Sequence, residues 1–408
     1  MDALTNPYTP NAGAEPQAIV GRDDQLASFD LLLARIERGR TEQSMIITGL
    51  RGVGKTVLLG QFRTKALAKD WVVVELEVSK NDDNNFRRDI GSKLRTALFE
   101  LSPKAKWTDR FKHAAGVLRS FNVSVDPGGT WTAGLGVEAA AGFADHSDLA
   151  MDLTDVLIAI GEAAQERARG VVLLLDEVQF LSKAQLEAVI QALHKMVQRK
   201  LPVTMVGAGL PQIAELAGDA KSYAERLFKF PAIGNLSPTD ARAALSTPAL
   251  EEGVEFMPDA IKMAIDVTEG YPYFLQELGY AVWTVAANSP IRAEDIAEAI
   301  PGYESKLDES FFRVRLDRAT ELQRAYLRAM AALGSAPQKA SDVADVMGRT
   351  SQNLGPTRAE LINMGLLYTP EHGYAAFTVP QFDKFVLRAI PALNVPGLKS
   401  RPRKNNGN

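Results

Sequence analysis

Met45-Ile46-Ile47-Thr48-Gly49-Leu50-Arg51-Gly52-Val53-Gly54-Lys55-Thr56 joins an apolar run to a glycine-rich turn that ends in Lys-Thr. Its second part fits G-x-x-x-x-G-K-[ST], and its first part reads as a short apolar strand. Gly49, Gly52 and Gly54 let backbone N–H groups, including those of Arg51 and Val53, converge on the phosphates of a nucleoside triphosphate. The helix that follows, through Val57, Leu58, Leu59 and Phe62, points the positive end of its dipole at the same place. Lys55 offers a cation to the phosphates, and Thr56 a hydroxyl to Mg2+. A Gly-rich turn without a ligand would have no use for Lys-Thr at its end.

Downstream, Trp71 to Leu76 reads as a second strand, followed by a helix with Phe86, Ile90, Leu94 and Leu98 four residues apart. Residues 156–168 read as another helix. Val171-Val172-Leu173-Leu174-Leu175 is then a continuous apolar strand of the kind buried on both faces, closed by Asp176 and Glu177. The first carboxylate is placed to hold Mg2+ and the second to orient or deprotonate an attacking water. Acids that merely end a strand are the plain alternative, and the phosphate loop upstream argues against it. Pro202 to Val206 is a further strand, ending in Gly207-Ala208-Gly209, and Leu227 to Phe230 a short last one. Strands alternating with helices predict an α/β fold with a doubly wound parallel sheet.

With these elements placed, the chain resembles the AAA+ ATPases. It is most similar to their branch around origin-recognition initiators and related bacterial ATP-binding proteins. Gly21-Arg22-Asp23 with Leu26, the phosphate loop, the Asp176-Glu177 strand end and a helical lid after Pro231 carry the resemblance. It implies ATP and Mg2+ as ligands, Gly21 and Arg22 beside the adenine with Asn6-Pro7-Tyr8 leading in, and Arg226 in the position of an arginine finger. Such a finger acts on a neighbouring subunit, which implies a homo-oligomer; a surface ion pair is the other reading of Arg226. Two departures stand out. Gly207-Ala208-Gly209 lacks the polar side chain usual at that strand end, and the lid reads Gly270-Tyr271-Pro272-Tyr273, with no arginine. The Gly-x-Pro spelling is similar to that of the STAND ATPases, whose proline packs on adenine, and puts Pro272 among the nucleotide-site residues. Both departures suit slow hydrolysis better than a fast motor.

Residues 102–150 interrupt the alternation. Phe121, Val123 and Val125, the turn signal Asp126-Pro127-Gly128-Gly129, and Trp131, Ala133, Leu135 and Val137 predict an inserted β-hairpin. Leu236-Ser237-Pro238 opens a helical bundle, with Pro258 and Pro272 at later helix starts. From Ala319 the pattern becomes helix, helix, helix, hairpin, similar to a winged helix-turn-helix. In such a fold Ser351, Gln352, Asn353, Thr357 and Arg358 would face duplex DNA from the third helix, which begins near Thr350-Ser351. Gly355-Pro356 is awkward inside it, and tolerable if Asn353 is the cap and Pro356 lies in the first turn. His372 and Tyr374 would come from the wing. STAND ATPases use the same module as a protein clamp on bound ADP, and that reading stays open beside DNA contact.

The chain has 408 residues, 46% apolar and 24% charged, enough for two or three ordinary cores. It has no cysteine, and its four histidines lack metal-ligand spacing. The N-terminus is polar, and the longest aliphatic run is far too short to span a bilayer, so a soluble, cytoplasmic protein is expected. Net charge is −4, but residues 313–408 carry +7 and the remainder −11, which makes the C-terminal part the one suited to a polyanion. The expected organisation is an N-terminal segment over 1–44, an ATPase core over 45–235, a lid over 236–312, a winged helix over 313–390 and a basic tail over 391–408.

Overall fold

Two apolar runs buried on both faces, Met45–Ile47 and Val171–Leu175, seed the sheet. The computed structural model describes residues 1–80, 82–123 and 135–397. Strands β1 (Ser44–Thr48), β2 (Val72–Glu77), β3 (Val171–Asp176), β4 (Val203–Gly209) and β5 (Phe228–Lys229) form one sheet in the order β2-β3-β4-β1-β5. Every pairing in it is parallel. The expected α/β architecture is therefore present. Because β4 lies between β1 and β3, the loop after β1 and the acids after β3 meet at the carboxyl edge, one strand apart.

Helices α1 (Asp23–Glu37), α2 (Lys55–Ala68), α3 (Asp83–Leu101), α4 (Asp109–Val123), α5 (Leu149–Glu166), α6 (Lys183–Arg199), α7 (Ile213–Ala220) and α8 (Ala224–Leu227) accompany the sheet. The inserted segment departs from expectation. Phe121, read as the start of a hairpin strand, lies in α4, whose buried face is Phe111, Ala114, Ala115, Leu118 and Phe121. That three-and-four spacing extends back before the alternation that suggested a strand, and the longer period wins. Val125 to Ala133 lie outside the described residues, while Leu135 and Val137 belong to no strand. Residues 137–140 run along α4, where Ala140 N–H donates to Gly116 C=O at 3.1 Å. A buried ion pair, Arg87–Asp152 at 2.8 Å, joins α3 to α5. Asp152 also accepts from the His146 N–H at 2.9 Å, and Arg87 lies over the Phe121 ring.

Three lid helices follow, α9 (Pro238–Glu251), α10 (Pro258–Thr268) and α11 (Pro272–Val285), each opened by proline at its first turn. Ser237 caps α9 through the Asp240 N–H. The N-terminal segment docks on this bundle. Tyr8 is buried, donates its hydroxyl to Leu245 C=O at 2.6 Å and meets Trp283 edge-on, while the Trp283 indole donates to Asp2 C=O.

The chain divides into two compact units, Met1–Glu298 and Ala299–Asn408, within helix α12 (Ala293–Lys306). The second unit carries a π-helical turn at Leu307–Phe312 and the short α13 (Arg313–Leu316). Then come α14 (Glu321–Leu333), β6 (Gln338–Lys339), α15 (Ala340–Val346), α16 (Ser351–Asn363), β7 (Leu367–Tyr368), β8 (Tyr374–Phe377) and α17 (Phe382–Ala389). Strands β6, β8 and β7 make an antiparallel sheet with β8 central. The expected helix, helix, helix, hairpin order is seen. The closing helix α17 has no counterpart in the sequence reading; its Phe385 stacks on Phe312, and its Phe382 meets the same ring at a tilt. Among the described residues no helix is long and apolar enough to cross a membrane.

Candidate functional site

The turn from β1 into α2 leaves helix donors for a ligand. Gly54 is the N-cap of α2 at φ 91°, and no side chain caps the helix, so its first N–H groups are not claimed by a capping residue. Gly52 is at φ +84°, and a Cβ there would lie 3.1 Å from Tyr273 Cβ and 3.2 Å from the Tyr271 ring. Only glycine lets the loop pass under the lid at this point. Lys55, 7% exposed, donates from Nζ to Gly49 C=O at 2.9 Å and to Leu50 C=O at 2.8 Å, holding the loop curled around its own ammonium. Burial lowers the Lys55 pKa to about 8, with Glu177 and Asp176 opposing and Arg51 adding to the shift. Arg51 Nε is buried without a hydrogen-bond partner. The site thus concentrates unspent donors and positive charge where an anion is expected.

Thr56 and Asp176 come together. The Thr56 hydroxyl donates to Asp176 Oδ2 at 2.6 Å, which joins the start of α2 to the end of β3. These are two hard oxygens, the donor set Mg2+ takes alongside phosphate and water oxygens. Among the described residues no cluster of three or more His, Cys, Asp or Glu side chains could hold a metal ion by itself. Glu177 follows at φ 55°, a left-handed conformation that costs a non-glycine residue about 1–3 kcal/mol and marks a constrained position. Its N–H donates to Asp176 Oδ1 at 2.8 Å. Its carboxylate accepts a short hydrogen bond from the Gln179 amide. Gln179 was not singled out from sequence, because a lone glutamine after two acids carries no periodic or motif signal.

The other expected nucleotide-side residues divide. Gly21 lies against Asp240 of the lid. Arg22 spends its guanidinium on the protein: it donates to Val53 C=O at 3.1 Å in the phosphate loop and to Gly234 C=O at 2.8 Å where the chain enters the lid. Burial lowers its pKa, and Asp240 opposes this. Val53 is buried and Val57 half-buried. Pro272 opens α11 beside the loop, where the next residue, Tyr273, donates its N–H to Gly52 C=O at 3.2 Å. Arg226 is exposed on α8, just before Phe228 pairs with Ser44 at the start of β1. That is the edge of the sheet opposite the phosphate loop, so Arg226 is not brought to the site of its own chain.

In the second unit, two expected DNA contacts need correction. Thr357 is 6% exposed and belongs to the core of α16, because it falls on the same helical face as Leu354 and Leu361. Arg358 turns inward, donating to Thr369 Oγ1 at 3.3 Å and in a short bond to Tyr374 C=O, so it ties α16 to the hairpin. The cap of α16 is Thr350 and not Asn353, and Pro356 sits in its second turn. Ser351, Gln352 and Asn353 are exposed on the first turn. Arg358→Ala is expected to lower the stability of this unit by about 1.5–3 kcal/mol, the range for hydrogen bonds to a charged group. A denaturation midpoint unchanged in that variant would show the bonds to be dispensable.

Residues 18–206 match the family described as the AAA ATPase domain, and residues 309–386 match a domain of unknown function, DUF8462. No curated protein matches the chain. The chain is similar to the Walker-type ATPase PABY2304 of Pyrococcus abyssi, with TM-score 0.57 and 15% identity over 91% of this chain and 97% of that one. It is also similar to the Orc1 protein of Aeropyrum pernix in complex with DNA, with TM-score 0.45 and 15% identity over 92% and 94% of the two chains. A third similar structure is the RuvB Holliday junction branch migration motor of Thermotoga maritima, with TM-score 0.45 and 15% identity over 92% and 96%. At 15% identity the likeness to the Pyrococcus ATPase is one of fold alone.

Proposed function

We propose that this chain binds ATP with Mg2+, hydrolyses it slowly, and contacts duplex DNA through a winged helix in its second unit under nucleotide control. The observation that carries the nucleotide half is the meeting of the curled loop on Lys55 with the Thr56–Asp176 pair and Glu177 at one sheet edge. Lys55 would bind phosphate oxygens, Thr56 and Asp176 would hold Mg2+, and Glu177 would take a proton from or orient the attacking water. Bound Mg2+ supplies charge neutralisation on the phosphates. Slow turnover follows from what is missing: β4 ends in glycine and alanine, and the lid helix α11 opens on Tyr271-Pro272-Tyr273, so neither adds a charged donor to the transition state. Arg226, on the far edge, suits action on a second copy of the chain in a homo-oligomer.

DNA contact rests on two features: the +7 charge of residues 313–408, and the exposed Ser351, Gln352 and Asn353 at the start of α16, where Gln and Asn side chains can pair with adenine edges. One observation favours the protein-clamp reading. Arg324, Arg328, Arg349 and Arg358 donate to backbone carbonyls of their own unit and Arg388 pairs with Asp308, so these arginines are already engaged. Fluorescence anisotropy with duplex DNA, in ATP, in ADP and without nucleotide, separates the two across a salt series. The expected result is affinity that depends on nucleotide and falls with salt at a log–log slope of about −3 to −5, the signature of three to five phosphate contacts. Absence of binding at low salt in every nucleotide state would favour the clamp.

A further inference from the structure

The end of β4 shows an apparent gap, because no polar side chain projects from Gly207-Ala208-Gly209 toward the site. Gln179 fills it from the 3-10 turn, Val178–Phe180, that follows β3. Its Oε1 accepts from Leu210 N–H at 3.0 Å, and its Nε2 donates to Glu177 Oε2. Leu210 N–H can only donate and an ionised Glu177 can only accept, so the amide orientation is forced. A carboxamide serves both partners, with one acceptor oxygen and a donor nitrogen. A Cβ at residue 209 would sit 2.8 Å from Gln179 Oε1 and 2.9 Å from Val178 Cγ2. The glycine that removes a polar group from β4 is therefore the glycine that admits Gln179.

The bridge also reaches the phosphate loop. Gly209 C=O accepts from Gly49 N–H at 3.1 Å, and Gly49 C=O accepts from Lys55 Nζ at 2.9 Å. One peptide unit thus separates the anchor of Gln179 from the residue that holds the loop's lysine.

We propose that Gln179 is a positioning residue for Glu177, replacing the polar side chain absent from β4 and fixing the carboxylate relative to the phosphate loop. This rests on the ATPase reading above. With one carboxylate oxygen held by the amide, the other is presented in a single orientation, and a general base acts only from a fixed geometry. Binding of ATP does not pass through Gln179.

The test compares steady-state ATP hydrolysis and ATP binding in the full chain. Gln179→Ala is expected to lower kcat about 10- to 100-fold, the scale for losing a partner that orients a functional group, with the ATP Kd and KM unchanged. Gln179→Glu keeps the length of the side chain but has no N–H to donate, and is expected to lose kcat as severely; it stands in if the alanine variant fails to fold. In a Glu177→Gln background, Gln179→Ala is expected to cost nothing more, because a residue acting through Glu177 has nothing left to position. Unchanged kcat in both single variants, equal losses in kcat and ATP affinity, or a further full loss in the double variant would overturn the proposal. A wild-type chain that binds ATP without hydrolysing it would instead remove the ATPase reading, and is distinguished because no variant is needed to see it.

Discussion

Lys55→Ala is expected to abolish nucleotide-dependent behaviour while leaving the fold intact. Lys55 is the ammonium around which the loop from Gly49 to Leu50 closes, and its loss removes both the phosphate cation and the two bonds that shape the loop. Removing a single electrostatic donor from a site of charge development costs about 10²–10³ in rate, and here binding falls with it, so kcat/KM should drop by about 10³ or more. ATP should no longer raise the melting temperature. The unliganded variant should melt no lower than the wild type, because burial already disfavours the charged lysine in the fold. The sign follows from the depressed pKa: between about 8 and the ordinary lysine value near 10.5 the unfolded chain holds the proton more tightly, so stability rises with pH across that window. Lys55→Ala should flatten that rise. In the wild type, ATP affinity should be full below pH 8 and fall above it, since phosphates need the protonated form. A calorimetric titration at pH 7 and pH 9 checks this, and equal affinities at the two would show that Lys55 stays charged.

Much of this was legible in the sequence where one physical requirement dominates a short stretch. The phosphate loop is legible because glycine, lysine and threonine each meet a separate demand within eight residues. The strand ending in Asp176 and Glu177 is legible because a strand buried on both faces has no alternative to a continuous apolar run. Pro238, Pro258 and Pro272 mark helix starts because a first-turn residue has no intrahelical use for its N–H. Where two periodicities compete, the helical one holds at Phe121, which closes a face that begins at Phe111. Long-range partners were beyond reach. Nothing local says that Arg358 turns to Tyr374 C=O, that Arg22 bridges Val53 and Gly234, or that Gln179 spans Glu177 and Leu210. Each depends on a carbonyl or amide brought close by the fold, and main-chain groups leave no trace in residue identity.

Glu177→Gln separates binding from chemistry most sharply. The substitution is close to isosteric, keeps the Glu177 N–H bond to Asp176 and leaves the Thr56–Asp176 pair untouched, so ATP and Mg2+ affinity should stay within about threefold of the wild type. What disappears is the proton acceptor, and general-base contributions of about 10²–10⁴ set the expected fall in kcat. A fall in ATP affinity as large as the fall in kcat would place Glu177 in the binding set and leave the general base unassigned. If the expected result holds, the variant has a second use. It holds the ATP-bound state for the length of a DNA-binding experiment, free of the ADP that wild-type turnover generates. Nucleotide control of DNA contact predicts that Glu177→Gln with ATP and wild type with ADP differ in affinity at the same salt. Lys55→Ala should match the nucleotide-free wild type whatever is added. If all three bind DNA alike while Glu177→Gln retains ATP, the two units work independently, and the nucleotide state must be read out by another surface of the first unit.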